Sequence, residues 1–425
     1  MIRALIALVA VSRLAAQLPI DSQLASEIAK IKAIDNHAHP VRPTWGADKD
    51  TDFDALPVES MEPYTEPVRT RDGSGLALEA SRALFGLSPD YKARRKQLTE
   101  QMHEGYAEWV LDQLGIETML ANRVSMGPGL AAPRFLWVPF EDALLFPLNN
   151  SGLAAKNSDR KSFFADEDRL LKRYLKESGL SEPPATLDLY LQKVVTPTLE
   201  RHKRGGAVAV KFEVAYLRSF DFADVPRSEA ARVYAASRAL PQGEVAYKAL
   251  QDFLLRYIAG ECGRLGLAVH FHAAAAAGGY FQIAGTNPLL LETLFDDPKL
   301  RSTNFVMLHG GWPFTREVAA LLAKPNVYTD FSGQTFNNYP RAVAGVLREW
   351  LEYAPDKVMF GTDAYPFSDA MSWEETGWVA NTTGRQALGL ALSEMMRDGE
   401  ISRDRALELA RMVLRDNARK LYKLK

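Results

Sequence analysis

His37 and His39, separated by one small residue in the run Ile34-Asp35-Asn36-His37-Ala38-His39, are the first side chains along the chain able to act together chemically. In an extended strand the side chains alternate with period two, so both imidazoles leave one face and can share a metal ion. Alone, His-x-His is a weak motif, and a pair of core or surface histidines is the alternative. The run Leu267-Ala268-Val269-His270-Phe271-His272 repeats the geometry. Leu267, Val269 and Phe271 form an apolar face, which leaves Ala268, His270 and His272 on the other. His272, nearest the end of the run, is the better ligand, whereas His270 lies one layer deeper and suits a buried, hydrogen-bonded role. His309 closes a third apolar run before Gly310 and Gly311, and Asp363 closes a fourth shortly after Gly361. Between residues 207 and 216, Val208, Val210, Phe212 and Val214 share one face and Ala209, Lys211 and Glu213 the other. A lysine and a glutamate pointing inward are costly unless they pair with each other or engage a metal. Cys262 is the only cysteine, so disulfides, cysteine zinc sites and iron–sulfur clusters are excluded, and any metal must rest on carboxylates and the seven histidines.

These residues need strands to position them. Eight short β-like runs occur at 33–39, 116–123, 135–140, 207–216, 267–273, 304–310, 326–332 and 358–363. Helical periodicity lies between most of them, the βαβ pattern of a parallel sheet. Five of the seven histidines fall at or near the C-terminal ends of these runs. Eight such units predict an α/β fold, a (β/α)8 TIM barrel with long helical insertions at the βα loops, whose C-terminal strand ends form the catalytic face. Residues 31–425 then make a single domain, with insertions near 41–114, 151–204 and 219–265. The last helix carries Ala406, Ala410, Val413, Leu414, Ala418 and Leu421 at three- and four-residue spacing, a face for packing on the barrel.

Composition narrows the partners. Lysine plus arginine is 51 and aspartate plus glutamate 53, a formal charge of −2, so there is no basic excess for nucleic acid. A hydrophobic content of 47% suits a packed core. No internal run approaches the ~20 apolar residues of a membrane span. Residues 1–17 resemble a secretory signal, with Arg3, an apolar stretch and small residues; Arg13 and Leu14 fit an ordinary helix instead. The first reading implies an exported protein, the second a cytoplasmic one. A homo-oligomer is compatible with the sequence, which does not specify one.

The resemblance becomes specific in six segments: Asp35-Asn36-His37-Ala38-His39, Val210-Lys211-Phe212-Glu213-Val214-Ala215-Tyr216-Leu217-Arg218-Ser219, Leu308-His309-Gly310-Gly311-Trp312-Pro313-Phe314, Asn326-Val327-Tyr328-Thr329-Asp330-Phe331, Gly361-Thr362-Asp363-Ala364, and Asp416-Asn417-Ala418-Arg419-Lys420-Leu421-Tyr422. Together they resemble the amidohydrolase superfamily, and most its amidohydrolase-related (type 2) branch. That branch holds decarboxylases of the aminocarboxymuconate-semialdehyde type and the amidohydrolase-like part of nodulin and fungal FluG-type proteins. The resemblance implies a divalent metal on His37, His39, His272 and Asp363. Zinc fits such imidazole and carboxylate donors. Asp363 would serve as general base toward a metal-activated water, and His309 would bind a second metal or polarise the substrate carbonyl. Lys211, if carboxylated, would bridge two ions; with Glu213 as its partner instead, one ion is favoured.

Arg123 and Arg218, near strand ends, are candidates to clamp a substrate carboxylate. Trp312, Tyr365 and Trp373 are candidates to line the pocket, while His103 and His202 read as solvated residues. The chain has no Walker loop, Rossmann glycine fingerprint, Gly-x-Ser-x-Gly elbow or His-Glu-x-x-His helix. The leading expectation is metal-dependent hydrolysis of a small amide, ester or lactone bond. Non-oxidative decarboxylation of an unsaturated or aromatic acid on the same site is the first alternative. An inactive barrel acting as a binding module is the second.

Overall fold

The computed structural model describes residues 20–56, 61–62, 65–71, 74–236, 243–273, 278–368 and 371–424; the candidate signal at 1–17 lies outside them. Eight strands form in the places the apolar runs predict, mostly a few residues shorter: β1 Ala33–Ala38, β2 Ile116–Asn122, β3 Phe135–Val138, β4 Ala209–Phe212, β5 Ala268–His272, β6 Phe305–Leu308, β7 Val327–Asp330 and β8 Val358–Met359. All pairings are parallel, in the orders β1-β2-β3 and β4-β5-β6-β7-β8.

Two bridges join these sheets into a closed barrel, Phe140 with Lys211 and Ala38 with Ala364. At the first seam the Lys211 N–H donates to the Pro139 carbonyl at 2.7 Å, and the Glu141 N–H donates to the Lys211 carbonyl at 3.0 Å. At the second, the Asn36, His39 and Asp363 amides donate to Phe360, Ala364 and His37 at 2.9, 2.7 and 2.7 Å. The strands are short because loops take over at their C-terminal ends, where the candidate residues sit.

Alternation divides the strand residues as their polarity requires. Val210, Phe212, Val269, Phe271, Phe305 and Met307 point out into the main core with the surrounding helices. Ile34, Leu120, Val138, Ala209, Ala268, Val306, Leu308 and Met359 point in and pack with Ala418, Leu421 and Tyr422 of the C-terminal helix. The last helix therefore plugs the lumen. Fully burying one such side chain contributes ~2 kcal/mol.

The three insertions are helical: Leu76–Phe85, Tyr91–Met102 and Gly105–Leu114 after β1, Ser158–Glu177 and Thr196–Arg204 after β3, Arg227–Ala236 and Glu244–Leu265 after β4. Among the described residues no helix is long and apolar enough to cross a membrane.

Candidate metal centre

Two departures from regular strand geometry build the site. In β1 the pairs Asp35–Met119 and Ala38–Ala121 oppose three steps on one strand with two on the other, a bulge. The bulge shifts the alternation, so Ile34, Asn36 and His37 all reach the interior: Asn36 accepts from the Tyr422 hydroxyl, and the His37 Nε2 stands 3.1 Å from Asp363 Oδ1. Period two holds again beyond it, and His39 Nε2 lies 3.8 Å from the same carboxylate oxygen. On β6, Val306 and Leu308 face inward, so strict alternation would aim His309 outward. His309 instead adopts φ 60°, followed by Gly310 at 58° and Gly311 at 60°, and the left-handed turn swings the imidazole back into the lumen. Gly310 has no substitute there, because a Cβ would lie 2.2 Å from Trp350 Cη2. Asp363 is likewise left-handed at φ 56°.

The result is a compact polar cluster at the C-terminal ends of the strands. His309 Nδ1 is 3.7 Å from Asp363 Oδ2, and its Nε2 is 3.0 Å from His272 Nδ1. The Ser332 hydroxyl meets His309 Nδ1 at 3.0 Å and Asp330 Oδ1 at 2.7 Å, which fixes the ring's orientation. His39 Nδ1 contacts Asp54 Oδ2 at 3.0 Å. Lys211 Nζ, fully buried, is 3.3 Å from His37 Nε2 and 3.5 Å from Glu213 Oε1. Among the described residues two sets of donor atoms lie close enough to hold an ion, His37–His309–Asp363 and His39–Asp54–Glu213. Nitrogen and carboxylate oxygen are the donors a divalent metal such as zinc takes, so the residues present fit one.

Burial dominates the electrostatics. It raises the Asp363 carboxyl to about 8, against the opposing pull of Lys211, with Asp330 and Asp54 adding to the rise. Glu213 rises to about 8 for the same leading reason. Asp54 is also penalised by burial, yet His39 and Lys211 outweigh this and hold it low. His37 and His309 are pushed well below the usual imidazole range by burial and by Lys211, so both are neutral at physiological pH.

A cavity of about 450 Å³ opens onto this cluster. His39, Asp54, Glu213, His272 and Asp363 form its base, and Tyr216, Trp312, Phe336, Tyr365 and Phe367 supply aromatic walls. The His272 ring packs against Tyr216 with centroids 4.8 Å apart. His270 is buried one layer deeper, its Nε2 2.7 Å from the Tyr422 hydroxyl.

Several expectations need correction. Arg123 does not reach this cavity: its guanidinium is buried, chelates Asp50 at 2.6 and 2.8 Å and donates to the Pro40 carbonyl at 2.8 Å. Arg218 is held by Asp252 at 2.7 Å and Gln251 at 3.0 Å and stacks on Phe222. Arg123 ties the segment after β1 to the end of β2, and Arg218 ties the segment after β4 to the helix Glu244–Leu265. Trp373 is packed in a core with Ala38 and Leu114 rather than on the pocket. His202 is buried, not solvated, with Nδ1 2.6 Å from Glu141, whereas His103 is exposed against Trp45.

Residues that sequence reasoning missed are the supports. Asp54 comes from an insertion without motif, and only its contact with His39 reveals it. Asp330 lay within a recognised segment without a role; it accepts from Asn36 at 2.7 Å and from the His309 amide at 2.9 Å. Asn122 donates to the Ala38 carbonyl at 3.0 Å and sits 2.8 Å from His37 Nδ1.

A parallel eight-stranded barrel with imidazoles and a carboxylate gathered at its C-terminal strand ends defines a metal-dependent enzyme. The sequence profile of the amidohydrolase family matches residues 148–424, more than half of the chain, and the chain belongs to that family. Protein fluG of Emericella nidulans is 33% identical over 142 residues, which are 33% of this chain and only 15% of that protein. A protein assigned as a metal-dependent hydrolase from Lactobacillus casei superposes with a TM-score of 0.66 at 15% identity, covering 94% of this chain and 97% of its own. Glucuronate isomerase of Caulobacter crescentus gives 0.64 at 14%, covering 95% and 93%. Uronate isomerase of Thermotoga maritima gives 0.58 at 15%, covering 94% and 96%. At such identities the likeness is one of fold. Hydrolase and isomerase names both occur among these structures, so the shared fold does not choose the reaction.

Proposed function

We propose that this enzyme is a hydrolase that cleaves a small amide, ester or lactone bond. The observation that carries the reading is the Asp363 carboxylate, with one oxygen near His37 and His39 and the other near His309, at the base of a cavity sized for a small molecule. His37, His39, Asp363 and His272 would hold the metal, most simply zinc. Bound there, the ion would polarise a carbonyl and lower the pKa of water. Its charge would also draw the Asp363 carboxyl down from about 8 into the range of a working general base. Asp363 then takes a proton from the attacking water and returns it to the leaving group. His309, neutral and fixed by Ser332, stands beside Asp363, where oxyanion charge develops. Trp312 and Tyr365 hold the substrate's apolar part. Lys211 Nζ has Glu213 Oε1 at 3.5 Å as a neighbour without carboxylation, which supports one ion.

The test begins with elemental analysis of the purified protein, followed by a screen of amides, esters and lactones in 18O-labelled water. Label in the product acid supports hydrolysis. Release of CO2 from a carboxylic acid included in the screen, with no label in the organic product, overturns it in favour of decarboxylation.

A further inference from the structure

A second cavity of about 460 Å³ lies where the helical insertions after β3 and β4 meet, and it shares no lining residue with the metal cavity. Its charged lining is Lys156, Arg160, Arg218 and Lys248 against one acid, Glu244. Three of the four cations are neutralised by neighbours. Lys156 pairs with Glu244; Lys248 reaches Asp252 at 2.8 Å and Asp221 at 3.4 Å; Arg218 reaches Asp252 at 2.7 Å. Arg160 is the exception. Its backbone N–H is capped by Asn157, but among the described residues its guanidinium makes no hydrogen bond or ion pair, although the residue is half-buried. Burial disfavours its charge, and Glu244 is the acid that offsets this.

A half-buried guanidinium with Glu244 as its nearest offsetting acid, and with no direct hydrogen-bond or ion-pair partner among the described residues, keeps its N–H donors available, and their planar fork matches a two-oxygen anion. We propose that this cavity is a binding site for a small oxyanion, a phosphate or carboxylate group, with Arg160 as its principal contact. Lys156 and Lys248 add positive potential at the rim, and the amide of Asn157 borders the same space. The proposal is independent of the reaction at the metal centre.

The test is calorimetric titration of the full-length protein with inorganic phosphate and, separately, malonate, at constant ionic strength set by sodium chloride. Each titration is repeated on Asp363→Asn, which discounts anion binding at the metal centre. Saturable binding of either anion that persists in Asp363→Asn and weakens at least ~10-fold in Arg160→Gln is the expected result. Phosphate alone would mark a phosphate-type ligand and malonate alone a carboxylate. Arg160→Lys, which keeps the charge and loses the fork, should fall between. Absence of saturable binding for both anions, or equal affinity in a folded Arg160→Gln with an unchanged melting curve, would overturn the site.

Discussion

Lowering the pH should weaken metal binding steeply, and the cluster indicates how steeply. Burial raises Asp363 to about 8 and Glu213 to about 8 in the metal-free protein. A carboxylate must be ionised to ligate, so each of these that binds the ion gives up one proton below that pH. Of the proposed imidazole ligands, His37 is held well below the usual imidazole range by burial and releases none. With Asp363 as the only raised ligand, affinity should fall roughly tenfold per pH unit below about 8, hence ~100-fold between pH 8 and 6. With Glu213 ligating as well, the same interval costs on the order of 10,000-fold. The folded-state values lie above the unfolded ones, so in metal-free protein these groups contribute stability at low pH that is lost as pH rises through about 8. Metal affinity has the opposite slope, climbing to pH ~8 and levelling beyond it. Titration with Zn2+ at pH 6.5, in two buffers of different ionisation heat, counts the protons directly. One to two released per metal is expected; none released, with a flat affinity from pH 6 to 8, would refute the reasoning.

Asp363→Ala and His37→Ala should each abolish activity and metal retention while the far-ultraviolet circular dichroism stays that of the parent; full activity in purified Asp363→Ala would sink the mechanism. His103→Ala, at an exposed position, should match the parent in rate and melting temperature. Arg123→Met leaves Asp50, only 7% exposed, without its guanidinium and should cost ~3–5 kcal/mol in chemical denaturation with KM unchanged; a raised KM at unchanged stability would return Arg123 to substrate binding. Gly310→Ala forces a methyl against Trp350 in a left-handed turn and should destabilise by ~1–3 kcal/mol and lower kcat by moving His309. If Lys211 pairs with Glu213, reconstituted protein should hold one metal per chain regardless of bicarbonate, whereas two metals with bicarbonate dependence would identify the carbamate.

The sequence by itself determined the strands and much of the site's base. The apolar runs have the length of strands and are bounded by polar or small residues, and the alternation in β4 and β5 assigns Lys211, His270 and His272 to the lumen. That works because a pleated strand leaves a side chain only two directions. His37, His39, His309 and Asp363 stand out as candidates for a similar reason: few residue types can hold a metal, and these fall at strand ends.

What only the tertiary structure decided is everything that depends on partners distant in sequence. Asp54 meets His39 across an insertion with no periodic pattern, and Asp330 meets Asn36 across 294 positions. The bulge in β1 and the left-handed turn at His309 re-aim imidazoles against the alternation, and no composition rule announces them. Arg123 and Arg218 looked free to hold a substrate because a sequence shows a charge without showing its counter-charge. In the folded chain Asp50 and Asp252 already occupy their donors. Charge type is a local property, whereas the availability of that charge is set by whichever loop the fold lays beside it.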